Sequence, residues 1–238
     1  IIAQIDEYLK NILISPVYDV AVNSDLQKLE KLSTQLGNDI WLKREDQQPV
    51  KSFKLRGAYN KICQLSDAQL AKGLIASSAG NHAQGVAYSA RKKGVKATIV
   101  MPATAPDIKV EAVRSFGGEF VEVVLHGTSF EQAKEESQRL AKEHGYTIVA
   151  PFDDEDVIAG QGTVAMEILK QHTAPIHAVF IPVGGGGLIA GMAAYIKYIR
   201  PETKIIGVEP EDAASLKAAL VSGKREVLAD VGIFAEGV

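Results

Sequence analysis

Three short stretches of the chain carry residue types that could do chemistry together. Residues 52–58, Ser-Phe-Lys-Leu-Arg-Gly-Ala, set one lysine, Lys54, beside an aromatic ring and just ahead of a glycine. A lysine amine adds to a carbonyl cofactor, and partial desolvation lowers its pKa so that it also works as a base near neutrality. Residues 77–85, Ser-Ser-Ala-Gly-Asn-His-Ala-Gln-Gly, read as a loop of short side chains that turns into a helix. Free N–H groups and the helix dipole there favour a carboxylate or a phosphate. The third stretch, Gly184-Gly185-Gly186-Gly187, lies between a strand-like run and a helix-like run, where backbone amides can crowd a phosphate. Lysine, carboxylate loop and phosphate loop together point to pyridoxal 5′-phosphate chemistry on an amino acid.

The elements that must hold these groups follow from hydrophobic periodicity. Strands are predicted at Ile40–Lys43, Leu74–Ser77, Ala97–Met101, Phe120–Val124, Tyr146–Val149, Ala178–Pro182 and Lys204–Val208. Helices are predicted at Asp25–Leu36, Phe53–Leu65, His82–Lys93, Lys109–Phe116, Ser129–His144, Gly160–Gln171, Leu188–Ile199 and Ala214–Val221. Gly94, Gly117 and Gly145 fall just after three of the helices, as C-terminal caps do. Strands of near-continuous Val, Ile and Ala alternating with helices imply an α/β fold with doubly wound parallel sheet. Ligands of such sheets gather at the carboxyl ends of strands, where both Ser77–His82 and Gly184–Leu188 lie. On residue physics alone, Ser77–Gln84 also reads as a plain strand-to-helix turn with Asn81 as N-cap.

Composition narrows the partners. The 238 residues are 46% hydrophobic and 23% charged, enough to bury one large domain or two lobes. A formal charge of −3 gives no global attraction to nucleic acid or to an anionic membrane. No apolar run approaches the roughly 20 residues of a membrane helix, and Asp6 and Glu7 stand where a signal peptide would be basic. The single cysteine, Cys63, cannot form an internal disulfide, which favours a reducing, cytoplasmic compartment; it reads as a buried thiol. The chain opens on Ile1 and stops at Phe234–Val238 without a cap, so both ends look cut.

The longer string Lys43-Arg44-Glu45-Asp46-Gln47-Gln48-Pro49-Val50-Lys51-Ser52-Phe53-Lys54-Leu55-Arg56-Gly57-Ala58-Tyr59 resembles the cofactor-lysine region of the fold-type II pyridoxal-phosphate enzymes. Within them it is most similar to the biosynthetic threonine dehydratases (threonine ammonia-lyases). The resemblance runs from about Ile12 to the last residue. It implies two open, doubly wound, mainly parallel sheets of the tryptophan synthase β type, truncated at the C-terminus. Residues 1–75 and 149–238 would form a large cofactor-binding lobe and residues 76–148 a small one.

The resemblance also implies roles. Lys54 becomes the Schiff-base lysine and the base for the α-proton, with Phe53 near the cofactor ring. Asn81 meets the cofactor's 3′-oxygen, and the backbone of Ser78, Ala79, Gly80, Asn81 and His82 takes the substrate carboxylate. Gly184, Gly185, Gly186 and Gly187, with Leu188, hold the 5′-phosphate. Related serine racemases carry a proton-donating serine where this chain has Ala79, so elimination is the better reading. The implied enzyme is a lyase converting L-threonine, and also L-serine, by dehydration and deamination, the threonine product being 2-oxobutanoate with ammonia, at the first step of isoleucine biosynthesis. It would act as a homo-oligomer, dimer or tetramer. Some relatives bind a divalent cation through the counterpart of Glu209 and an aspartate, but Ser215 stands at the latter position, so no metal is expected.

Two other readings compete. Gly185-Gly186-Gly187-Leu188-Ile189-Ala190 fits a dinucleotide fingerprint and Glu209 ends the next strand, as in NAD(P)-dependent oxidoreductases. That reading leaves Lys54 and Asn81 unexplained. The other is a truncated fragment that binds the cofactor without turnover. The run Asp153–Asp156 reads as an acidic helix cap rather than a metal site.

Overall fold

A computed structural model describes residues 2–228, 231–232 and 235. Ile1 and, within Phe234–Val238, all but Ala235 lie outside the described residues. Along the chain the elements are α1 (Ile2–Leu13), β1 (Leu26–Lys28), α2 (Glu30–Leu36), β2 (Trp41–Lys43), α3 (Lys54–Gln64), α4 (Asp67–Lys72), β3 (Leu74–Ser77), α5 (Asn81–Lys93), β4 (Ala97–Met101), α6 (Asp107–Gly117), β5 (Val121–Leu125), α7 (Phe130–His144), β6 (Thr147–Ile148), α8 (Glu155–Gln171), β7 (Ala178–Pro182), α9 (Gly187–Ile199), β8 (Lys204–Val208) and α10 (Ser215–Ser222).

Among the described residues, four parallel strands form one sheet in the order β5-β4-β3-β6, and β7 pairs with β8 in a second parallel sheet. Period-two alternation in β3 and β4 sorts their side chains to two covered faces. Leu74, Ala76, Ile99 and Met101 pack with Val86 and Ala90 of α5 and Val113 of α6, while Ile75 and Val100 pack on Ala133 and Ala141 of α7. A separate core joins α1, α8 and α9 to Ile181 of β7 through Ile12, Val164, Ile168, Met192 and Ile196. Among the described residues no helix is long and apolar enough to cross a membrane.

Several predicted elements change on folding. The helix expected over Asp25–Leu36 starts only at Glu30, because Leu26–Lys28 pairs antiparallel with Trp41–Lys43 in a two-stranded ribbon. Cross-strand hydrogen bonds there override a local helical pattern. Helices α1 and α4 are additions to the predicted set, although Ser66 and Gln69 form a capping box ahead of α4. The C-cap near residue 117 falls on Gly118, with Gly117 still helical.

Helix α8 begins at Glu155 rather than Gly160. Asp154 is its N-cap, accepting from the amides of Asp156 at 3.0 Å and Val157 at 3.1 Å. Gly160 is not a terminus but a crossing point. A Cβ there would lie 2.6 Å from the Arg56 carbonyl oxygen and 2.7 Å from the Gly57 Cα. Two glycines thus let α8 press directly on the first turn of α3, the turn that carries Lys54.

Candidate active site

The lysine sits where three contacts fix its backbone. Lys51, at φ 59°, is the one non-glycine residue at positive φ among those described, and it turns the chain into α3. Ser52 Oγ accepts the Lys54 amide at 3.3 Å, and Phe53 precedes the helix as its N-cap residue. From the other side Gly85 of α5 comes so close that a Cβ would stand 3.0 Å from the Lys54 carbonyl carbon.

The amine itself has few companions. Lys54 Nζ donates to the Pro151 carbonyl at 2.8 Å and lies 5.6 Å from the centre of the Phe53 ring. Burial lowers its pKa to about 8, so a sizeable neutral fraction exists near neutrality.

Ser78–His82 joins β3 to α5. The amide of Ser78 donates to Val100 at 3.2 Å, and Ser78 Oγ accepts the Gly80 amide at 3.2 Å. Gly80, not Asn81, is the N-cap residue; Asn81 opens the helix with an exposed side chain that makes no hydrogen bond among the described residues. His82 turns inward and is 3% exposed. Its Nε2 donates to the Val149 carbonyl at 2.8 Å, which leaves Nδ1 a buried atom with no partner among the described residues. Burial, then the nearby Lys54 charge, push the imidazole pKa down to about 3. His82 is therefore a neutral, structural side chain in this setting.

The tetraglycine loop follows β7, whose continuation is held by Val183 N–H donating to Val208 at 2.9 Å. Among the described residues, the amides of Gly184 to Gly187 donate to no protein acceptor. Gly186 has φ +89° with open space on its side-chain face, and α9 starts at Gly187. Phe152 packs against the glycines on either side of Gly186. A Cβ on Gly185 would overlap the Phe152 ring, and one on Gly187 would lie 2.9 Å from the Phe152 carbonyl oxygen. Leu188 packs into the α1–α8–α9 core.

The three motifs thus meet on one segment that sequence reasoning missed. Val149 takes His82, Pro151 takes Lys54, and Phe152 takes the glycine loop. Two of these contacts use backbone carbonyls, which leave no signature in residue type. A desolvated amine and a loop of unengaged amides, tied to the consecutive residues Pro151 and Phe152, fit a carbonyl cofactor carrying a phosphate.

The family of pyridoxal-phosphate dependent enzymes matches residues 17–238. The chain belongs to that family. Among its relatives is the L-threonine dehydratase biosynthetic IlvA of Burkholderia multivorans, 56% identical over 97% of this chain and 46% of the relative. The chain therefore spans about half the length of that curated relative. Of solved structures, the processed form of threonine deaminase isoform 2 from Solanum lycopersicum superposes with a TM-score of 0.96 at 53% identity, covering 99% of this chain and 64% of the other. A maize serine racemase reaches 0.89 at 32% identity, over 94% of this chain and 68% of that one. The dinucleotide reading is not supported. The Glu209 carboxylate, its needed ribose ligand, is engaged at 2.8 Å and 2.9 Å by the amides of Leu216 and Lys217, where it caps α10.

The string that singled out the threonine-dehydrating branch has a structural meaning. Arg56, fully buried, is clamped by Glu45 at 2.8 Å and by Glu167 of α8 at 2.6 Å. Lys43 Nζ reaches Glu167 at 2.6 Å, and Gln48, also fully buried, donates to the Val22 carbonyl at 2.8 Å. Burial alone would raise the Glu167 pKa; hydrogen bonds from Arg56 and Lys43 outweigh it and hold the carboxylate below its usual range. Lys43, Glu45 and Gln48 thus brace the helix that bears Lys54.

Proposed function

We propose that the chain carries out the pyridoxal-phosphate-dependent dehydration and deamination of L-threonine, and of L-serine, yielding 2-oxobutanoate and ammonia from threonine, at the first step of isoleucine biosynthesis. The observation that carries this reading is the Lys54 amine, desolvated and held 2.8 Å from the Pro151 carbonyl, with the next residue, Phe152, packed on the glycine loop.

The Gly184–Gly187 amides and that of Leu188, in the first turn of α9, would hold the phosphate, and Phe53 would line the ring. The exposed Asn81 amide would take the ring 3′-oxygen. Substrate carboxylate rests on the backbone of Ser78 to His82 at the start of α5, where the helix dipole favours it. Lys54, neutral in part near pH 7, takes the α-proton. The cofactor supplies an electron sink for the charge left at the α-carbon. Ala79 has no proton to deliver from the opposite face, so the β-hydroxyl leaves and the centre is not racemised. Residues 76–148 act as the small lobe over a large one of 1–75 and 149–238, in a cytoplasmic homo-oligomer, dimer or tetramer.

The purified protein mixed with the cofactor should absorb in the visible and form 2-oxobutanoate from threonine. Lys54→Ala should abolish the visible band and lower turnover by about 10²–10⁴-fold or more. Saturable NADH binding without uptake of pyridoxal phosphate would refute the lyase reading.

A further inference from the structure

The segment 149–152 links the lysine to the glycine loop through adjacent residues. The Lys54 amine rests on the carbonyl of Pro151, and the very next residue, Phe152, covers the loop. Phe152 touches the loop twice: its ring lies on Gly185, and its main chain closes on Gly187, where a Cβ would stand 2.9 Å from the Phe152 carbonyl oxygen. At Gly186, between these two contacts, a Cβ would meet nothing within 4 Å.

The segment itself cannot drift. Upstream, the Val149 amide donates to Ile75 at 2.9 Å and its carbonyl accepts from His82 at 2.8 Å. Downstream, Asp154 caps α8 and is gripped by Lys61 of α3 at 2.8 Å. Amine and loop are therefore referenced to one short run of backbone, anchored at both ends by α3, α5 and β3.

We propose that Phe152 is a positioning residue that holds the Gly184–Gly187 amides in register with the Lys54 amine, so that one ligand engages both at once. The proposal rests on the reading of that loop as the phosphate site. A tetraglycine loop has many backbone conformations to lose on binding. A bulky ring laid against Gly185 removes part of that freedom in advance, which is the ordinary basis of preorganised binding. A ligand with a carbonyl at one end and a phosphate at the other gains from the alignment; a ligand without the phosphate does not.

The test compares pyridoxal 5′-phosphate with pyridoxal, followed by visible absorbance in the purified protein, for wild type, Phe152→Ala and Phe152→Leu. Thermal melting of the cofactor-free variants checks that each is folded. Phe152→Ala should weaken pyridoxal 5′-phosphate by roughly tenfold or more while leaving pyridoxal within about twofold, and Phe152→Leu should recover part of the loss. Equal losses for the two ligands would show general damage to the pocket and overturn the proposal, as would an unchanged affinity for the phosphorylated one. Should Phe152→Ala fail to fold, Phe152→Leu decides the matter on the same phosphate-selective criterion. A wild type that takes up neither ligand sinks the cofactor site and this proposal together; a wild type that binds pyridoxal 5′-phosphate tightly, with a Phe152→Ala that binds it as well or weakens both ligands alike, sinks this proposal alone.

Discussion

Lys54 and Arg56 stand two residues apart on the first turn of α3, and the fold treats their charges in opposite ways. Arg56 has no exposure, and Glu45, Glu167, Thr163 and the Val22 carbonyl take its donors. Among the described residues Lys54 has one acceptor, the Pro151 carbonyl, and no carboxylate partner. A buried charge with matched partners stays charged and locks geometry; a buried amine without them drifts toward neutrality. The same helix turn thus holds both a rigid support and a reactive group.

The contrast is sharpest if the support is broken. Arg56→Met removes the cation that Glu45 and Glu167 share, leaving Lys43 alone against the buried Glu167, and should cost about 3–5 kcal/mol in urea unfolding, far more than the loss of an exposed arginine would. A loss under about 1 kcal/mol, the range of surface pairs, would mean that the cluster is decorative and that the contrast with Lys54 has no energetic content.

His82 extends the comparison, as a second buried base kept neutral. Its folded pKa of about 3 is depressed below the ordinary value of 6.5, so the unfolded chain binds the proton first as pH falls. Its contribution to stability is whole above 6.5 and erodes toward 3. Between about pH 6.5 and 5 the loss should reach roughly 2 kcal/mol. Denaturation midpoints across that range should flatten in His82→Gln; an unchanged slope would assign the acid sensitivity elsewhere.

The smallest effect runs the other way. Because burial lowers Lys54, holding it protonated below pH 8 works against folding, and the penalty fades as pH rises from 8 toward 10.5. Lys54→Met relieves a desolvation penalty of about 3 kcal/mol and loses the bond to Pro151, worth roughly 2 kcal/mol. It should therefore stabilise the cofactor-free protein by about 1 kcal/mol at about pH 7, with the gain vanishing at high pH. A destabilised Lys54→Met would show that the bond to Pro151 outweighs desolvation.

Much of this is readable from residue order, for identifiable reasons. The buried strands β3 and β4 carry continuous apolar runs, and they, like the β7–β8 pair, lie where periodicity puts them. Lys54 announces itself by its Ser-Phe-Lys string, and Asn81 and the tetraglycine loop by residue type next to predicted strand ends. What escapes depends on long-range contact. The β1–β2 ribbon needs its partner strand before Leu26–Lys28 ceases to look helical. Gly160 resembles a helix start until Gly57 is brought against it. Arg56 stands out only as a member of a string, since Glu167, its closest carboxylate, lies 111 residues away along the chain.

Strand β6 pairs with β3 at only Leu74↔Thr147 and Ile75↔Ile148, and Pro151 follows close behind. Past Val149 the chain leaves the ladder, and a proline has no N–H with which to rejoin it. An outer strand this brief offers a neighbouring chain almost no template for sheet extension, a common route to aggregation. The interruption that frees the Val149 and Pro151 carbonyls for His82 and Lys54 is thus also a guard on the edge of the sheet.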